Sequence, residues 1–173
     1  MRRLSLNARM AHDAPASAEI EVVLLHIEHS ALSAPIRLST DNTERLSTEP
    51  LYYGTRSTWR GANPVTEPFL WIVASALLPS DQEDQPTAAT ITLENLDSTM
   101  IELLRSINDP ATVHMAVVLA SSPNVVEAQW TMELAGFDAD AGQIGLQLSR
   151  EEIELEMFPS GRMSRARFPG LHK

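Results

Sequence analysis

The chain has 173 residues, no cysteine and a formal net charge of −10. That length suits one domain with a modest tail and needs no covalent or metal staple, and the missing cysteine excludes disulfides, thiolate zinc sites, iron–sulfur clusters and a cysteine nucleophile. The negative balance argues against nonspecific nucleic-acid binding across the whole surface.

Taken in chain order, residues 4–14 read as a short helix with Leu4, Ala8 and Ala11 near one face, broken by Pro15. Arg2 and Arg3 are followed by "NARMAHDA", not by an apolar stretch, so the start does not read as a signal peptide. "EIEVVLLHIEH" (19–29) is the first strong strand. It sets Val22, Leu24 and His26 against Val23, Leu25 and Ile27, and two apolar faces predict a central strand. Ile36 and Leu38 alternate with Arg37 and Ser39, predicting a short strand before a turn at Asp41-Asn42.

Residues 47–68 hold Pro50, Gly54, Gly61, Pro64 and Pro68 with Tyr52, Tyr53 and Trp59. They read as irregular chain with one short strand around Leu51 to Tyr53. A long aromatic loop in a compact domain needs something to pack on, so Tyr52, Tyr53 and Trp59 are candidate contact residues. "PFLWIVASALL" (68–78) reads as one apolar strand with Trp71 in the core, and "PSDQEDQPT" (79–87) as an exposed loop. "AATITLENL" alternates cleanly, with Ala89, Ile91 and Leu93 on one face. "DSTMIELLRSINDP" is the best helix candidate, capped by Asp97, with Met100, Leu103, Leu104 and Ile107 at helical spacing.

Three further strand regions follow. "ATVHMAVVLAS" is apolar around His114. "VEAQWTMELAGF" sets Trp130, Met132 and Leu134 against Thr131 and Glu133, and "DADAG" (138–142) is a hairpin turn. "IGLQLSREEIELEMF" alternates through Ile144, Leu146 and Leu148, then through Ile153, Leu155 and Met157, with a bulge or turn at 149–151. The sum is six to eight strands and one or two short helices. It predicts a mainly β protein with minor α: an antiparallel sandwich or barrel with one helix packed on it.

No phosphate-cradling, zinc-protease or nucleophile-elbow motif is present. His26 and His29 lie three apart on a strand, so they face opposite sides and do not converge on a metal. His114, inside an apolar strand, reads as a hydrogen-bonded core histidine. Glu152, Glu154 and Glu156 share one strand face. Paired carboxylates at such spacing serve acid–base chemistry on sugars, but a solvated face that blocks edge pairing needs nothing further. No catalytic, cofactor-binding or metal residue is assigned, and no cofactor is expected.

The last segment differs in character. Residues 158–173 carry Arg162, Arg165, Arg167 and Lys173 and none of the 23 acidic residues. Phe158, Phe168 and Leu171 are apolar anchors, and Pro159 and Pro169 lower the cost of ordering an extended chain. The division is therefore a β-rich domain over 1–157 and a basic arm over 158–173. Phe158, Arg162, Arg165, Arg167, Phe168 and Leu171 are the arm's candidate contacts, and arginine forks suit an acidic surface on a neighbour. No segment reaches the about 18 apolar residues of a membrane span.

The order of several segments resembles a family of small tail-tip proteins of long-tailed bacteriophages. More distantly, it is similar to the N-terminal part of the tail-tip hub protein of lambda-like phages. The segments are "VVLLHIEHSALSAPIRLSTDN" (22–42), "TRSTWRGANPV" (55–65), "TAATITLENLDSTMIELLRSI" (87–107), "VEAQWTMELAGFDADAGQIGLQLS" (126–149) and the Phe-Pro closing segment. The lambda-like hub also has a cysteine-rich module, which a chain without cysteine does not contain.

The resemblance implies a tail-tube-like fold and a structural virion protein at the tail tip, made in the host cytoplasm. It would be a baseplate hub component that forms a ring with copies of itself, a trimer in preference to a hexamer. It would join the tail tube to the distal tip beside other tail proteins, with DNA only as cargo in the channel. The alternatives are a hexameric distal-tail adaptor ring, a carbohydrate-acting enzyme using Glu152 and Glu154, and a host-surface binding module using Tyr52, Tyr53, Trp59 and Trp71.

Overall fold

The computed structural model describes residues 4–77, 88–94, 110–140 and 142–149, with residues 167 and 170. The predicted helix over 97–109, the loop over 79–87, Glu152, Glu154 and Glu156, and most of the basic arm lie outside the described residues.

The protein is mainly β with minor α. Among the described residues one α-helix, α1 (Leu6–Asp13), precedes ten strands: β1 (Glu21–Glu28), β2 (Ile36–Ser39), β3 (Glu44–Thr48), β4 (Leu51–Thr55), β5 (Phe69–Trp71), β6 (Ala74–Leu77), β7 (Ala88–Glu94), β8 (Thr112–Leu119), β9 (Ser122–Ala139) and β10 (Gln143–Ser149). Ser5 caps the helix by accepting from the amide of Ala8, and the Ser5 amide donates to Glu127 Oε2 at 2.7 Å, tying α1 to β9. Ala8 is its buried residue, as the spacing predicted.

The strands form one curled sheet in the order β3-β4-β5-β2-β1-β8-β9-β10-β7-β6. All neighbours are antiparallel except β2 and β5, which run parallel. That parallel pair departs from the all-antiparallel expectation. The polar stretch 44–55 folds as the β3–β4 hairpin, so the chain returns to β2 in β2's own direction. Neither strand of that hairpin alternates in hydrophobicity, which is why most of it read as irregular chain.

The curl follows from one stretch. Strands β5 and β6 are separated by Ile72 and Val73 alone, yet β5 pairs with β2 while β6 pairs with β7 at the far end of the sheet. The Ile72 amide donates to Ser39 O at 2.9 Å, and the Glu94 amide donates to Val73 O at 2.8 Å. Two adjacent residues thus fasten β2 on one side and β7 on the other. The predicted single strand over 68–78 is therefore bent, and its burial breaks the two-residue period: Phe69 and Ile72 are buried, whereas Leu70, Trp71 and Val73 are about 40% exposed. Trp71 is not in the core.

Inside the curl lies the main core. Leu25, Ile27, Val113, Met115, Ile91, Leu93, Ile144, Leu146, Leu148 and Met132 are all buried there. The alternation predicted for β1, β7, β9 and β10 holds residue by residue. Each fully buried aliphatic side chain contributes about 2 kcal/mol. A second, smaller cluster covers the opposite face of β1 and β8: Val22, Leu24, Phe69, Val118 and Ala62, with Trp59 packed against it.

Gly54 fixes the β4–β5 junction. Its φ is +155°, and a Cβ there would lie 1.9 Å from Phe69 O. A side chain must push β5 away from β4, and β5 leads directly into the closing joint. Gly54→Ala is expected to lower stability by about 2 kcal/mol, whereas Val65→Ala, at a residue 78% exposed, leaves it unchanged. Urea denaturation checks both; an unaltered midpoint for Gly54→Ala contradicts the packing described.

Candidate functional site

The register of β1 against β8 sets His26 directly opposite His114. Both lie on the outer face of the curl, opposite Leu25, Ile27, Val113 and Met115. Both are buried, at 2% and 9% exposure, and their ring centroids are 6.1 Å apart. Over them runs the strap 57–62, which includes a 3₁₀ turn at Trp59–Gly61.

The strap is anchored to the start of β9 at its N-terminal end. Ser57 Oγ donates to Pro123 O at 2.6 Å, and the Thr58 amide donates to Asn124 Oδ1 at 2.8 Å. Trp59 meets His26 edge-on, with centroids 6.3 Å apart and planes at 73°, and packs on Phe69 at 5.9 Å. Arg60 has φ 57° and ψ 29°, the left-handed conformation that side chains avoid at a cost of about 1 kcal/mol. Gly61 continues the turn at φ 71°. The strained residue delivers a guanidinium to the histidine pair.

There Arg60 NH2 donates to Glu28 Oε1 at 3.1 Å and to His114 Nε2 at 3.0 Å. His114 Nε2 therefore accepts, and its Nδ1–H donates to Thr131 Oγ1 at 2.9 Å. His26 Nε2–H donates to Glu28 Oε1 at 2.7 Å. These bonds assign opposite tautomers to the two rings. His26 Nδ1 is buried with no hydrogen-bond partner among the described residues. Burial lowers the pKa of His26, partly offset by Glu28, and burial together with the Arg60 charge lowers that of His114. Hydrogen bonds from His26 and Arg60 lower that of Glu28. Both rings are neutral at pH 7 and Glu28 is ionised.

Chemically, this is a satisfied ion pair with two neutral imidazoles. Among the described residues no group of three His, Cys, Asp or Glu side chains is arranged to hold a metal ion. The guanidinium already occupies the space between His114 and Glu28. His29 lies beyond β1, accepts from the Ala31 amide through Nδ1, and does not join the pair.

The residues singled out from sequence are dispersed. Trp59 is half-buried in the strap; Tyr52 is 48% exposed on β4 and Tyr53 half-buried beside it. Arg167 is exposed in a turn, while Phe158, Arg162, Arg165, Phe168 and Leu171 lie outside the described residues. His114 is the hydrogen-bonded core histidine predicted. Arg60 and the pairing of the two histidines were missed. The available signal was that "VLLHIE" and "TVHMAV" each place a histidine within an apolar strand, and that "WRG" ends in the glycine a tight turn favours.

A second arrangement concerns charge. β7, β8, β9 and β10 are adjacent in the sheet and contain no lysine or arginine. Their carboxylates are Glu94, Glu127, Glu133 and Asp138. The arginines of the sheet's other half are Arg37 in β2, Arg45 in β3 and Arg56 just after β4, the last paired with Glu44. Register places Glu94, Thr92 and Thr90 beside Gln143, Gly145 and Gln147, and these beside Asp138 and Gly136, all on the outer face. Among the described residues of these four strands that face is polar and includes no lysine or arginine. No helix among the described residues is long and apolar enough to cross a membrane.

No family model matches the chain, and no curated protein matches it.

The titrating groups give a signed prediction. The unfolded chain takes up protons on histidine below about pH 6.5, before the folded His26 and His114 do. Stability is therefore full above that pH and falls as the pH drops through and below it, with a further loss from Glu28 below the ordinary glutamate range. Urea midpoints measured between neutral pH and about pH 5 are expected to decline. A flat or rising midpoint contradicts the assignment of two neutral buried rings.

Proposed function

We propose that the protein is a structural component of the tail tip of a long-tailed bacteriophage. In this reading it forms a ring with copies of itself, joins the tail tube to the distal tip and lines the channel through which DNA passes. One observation carries the reading: half of the curled sheet, β8-β9-β10-β7, has no cation. DNA carries one negative charge per about 1.7 Å of axis, and proteins retain it chiefly through lysine and arginine. A wall of Thr, Gln and Gly with Glu94, Glu133 and Asp138 repels the polymer and lets it slide.

The sequence resemblance and the curled sheet point the same way. In this reading the β3–β4 hairpin, with Tyr52 and Leu51 exposed, contacts neighbouring subunits, and the basic arm is the second contact segment expected from sequence. A trimer is preferred over a hexamer on the likeness to the hub.

The test is charge inversion in virions made from the chain's own genome. Glu94→Lys, Glu133→Lys and Asp138→Lys together are expected to leave the chain in the virion at wild-type copy number, by quantitative mass spectrometry, while infectivity falls by about tenfold or more because DNA adheres to the wall. Wild-type infectivity of that variant contradicts the channel role. Absence of the wild-type chain from purified virions contradicts the tail-tip role altogether.

A further inference from the structure

We propose that the strap 57–62 is an acid-released latch: protonation of His114 at Nε2 ejects Arg60 and uncovers the apolar outer face of β1 and β8. The geometry sets the sequence of events. His114 Nδ1–H is committed to Thr131, so an incoming proton goes to Nε2. That nitrogen is the acceptor for Arg60 NH2 at 3.0 Å. Once protonated it becomes a donor and a cation facing another donor and cation, and the contact turns repulsive.

Glu28 then changes partners. Its Oε2 already lies 3.8 Å from His114 Nε2, so a small rotation pairs it with the imidazolium in place of Arg60. The charged groups around the pair are few among the described residues. β1 supplies Glu28, the strap Arg60, and β2 supplies Arg37, itself bridged to Glu67 at 3.3 Å. β9 contributes the neutral Thr131 hydroxyl. Two residues on, β9 also carries Glu133 on the same outer face, opposite Thr112.

Two features bias the strap towards release. Arg60 is strained at positive φ, and its bonds to Glu28 and His114 help offset that cost. The strap's internal bonds are also few: Trp59 N–H to Ser57 Oγ at 3.1 Å, Gly61 N–H to Thr58 O at 3.1 Å and Ala62 N–H to Trp59 O at 3.3 Å. When the strap lifts, Trp59 and Ala62 leave Val22, Leu24, Phe69 and Val118. The main core inside the curl is untouched. This device does not depend on the tail-tip reading.

The experiment is NMR on the whole chain. At neutral pH, imidazole spectra are expected to show His114 as the Nδ1–H tautomer and His26 as Nε2–H; the reverse assignment for His114 overturns the proposal. Amide exchange, corrected for its intrinsic pH dependence, is then followed down to about pH 5. Protection at Gly61 and Ala62 is expected to fall about tenfold across the titration of His114 while Leu25 and Val117 stay protected. Retained protection in the strap, or loss only together with the β1–β8 ladder, overturns the latch. His114→Gln keeps an acceptor that does not titrate and is expected to hold the strap closed at both pH values; acid release in that variant overturns the proposal. If His114→Gln does not fold, Glu28→Gln serves: its strap should exchange faster already at neutral pH, and wild-type protection there is the contrary result.

Discussion

The sheet curls because the chain from Phe69 to Leu77 belongs to both of its halves. The hydrogen bonds of Ile72 to Ser39 and of Val73 to Glu94 lie on adjacent residues. They force β2 and β7 towards each other although the sheet order places four strands between them. Everything else follows from that closure. The inward residues of β1, β7, β8, β9 and β10 meet in one core, and the outward residues are left as an apolar patch at one side and a polar wall at the other. Without the joint the same strands make a flat sheet whose apolar side faces water.

The apolar patch explains the strap. Val22, Leu24, Phe69 and Val118 need a cover, and Trp59 and Ala62 supply it. Covering them desolvates His26 and His114, which lie next in line on the same face. Two imidazoles in that position stay neutral, and a neutral ring is a good acceptor for a guanidinium. The strain at Arg60 is thus tied to the location of the histidines. It is an arrangement stable near neutrality and weakened by acid.

Much of the fold was legible because burial here follows a period of two. Ile144, Leu146 and Leu148, or Ala89, Ile91 and Leu93, have polar neighbours on the other face, and sequence order alone assigns their sides. Strand β4 was legible around Leu51 to Tyr53, but β3 and the pairing of the two were not, since Glu44 to Thr55 has no such period and the pairing is driven by backbone bonds and by the approach of Phe69 O to Gly54. The bend at 72–73 was hidden for the opposite reason: every residue near it is apolar, so the run looks uniform. His26 and His114 were each visible as polar residues in apolar strands. Their meeting was not, because it depends on the register between strands more than 80 positions apart. Arg60 had no periodic signal at all.

The segregation of charge ties the architecture to the proposed role. Among the ten strands arginine occurs only in β2 and β3, whereas β7, β9 and β10 present Glu94, Glu133 and Asp138 among Thr, Gln and Gly. Particle imaging of the assembled ring tests this most directly. The account predicts three copies, or six in the adaptor arrangement, with the outer face of β7, β10 and β9 turned to the lumen and the β3–β4 hairpin turned away. A ring with the arginine-bearing half at the lumen, or a chain that remains a monomer at every concentration, contradicts it.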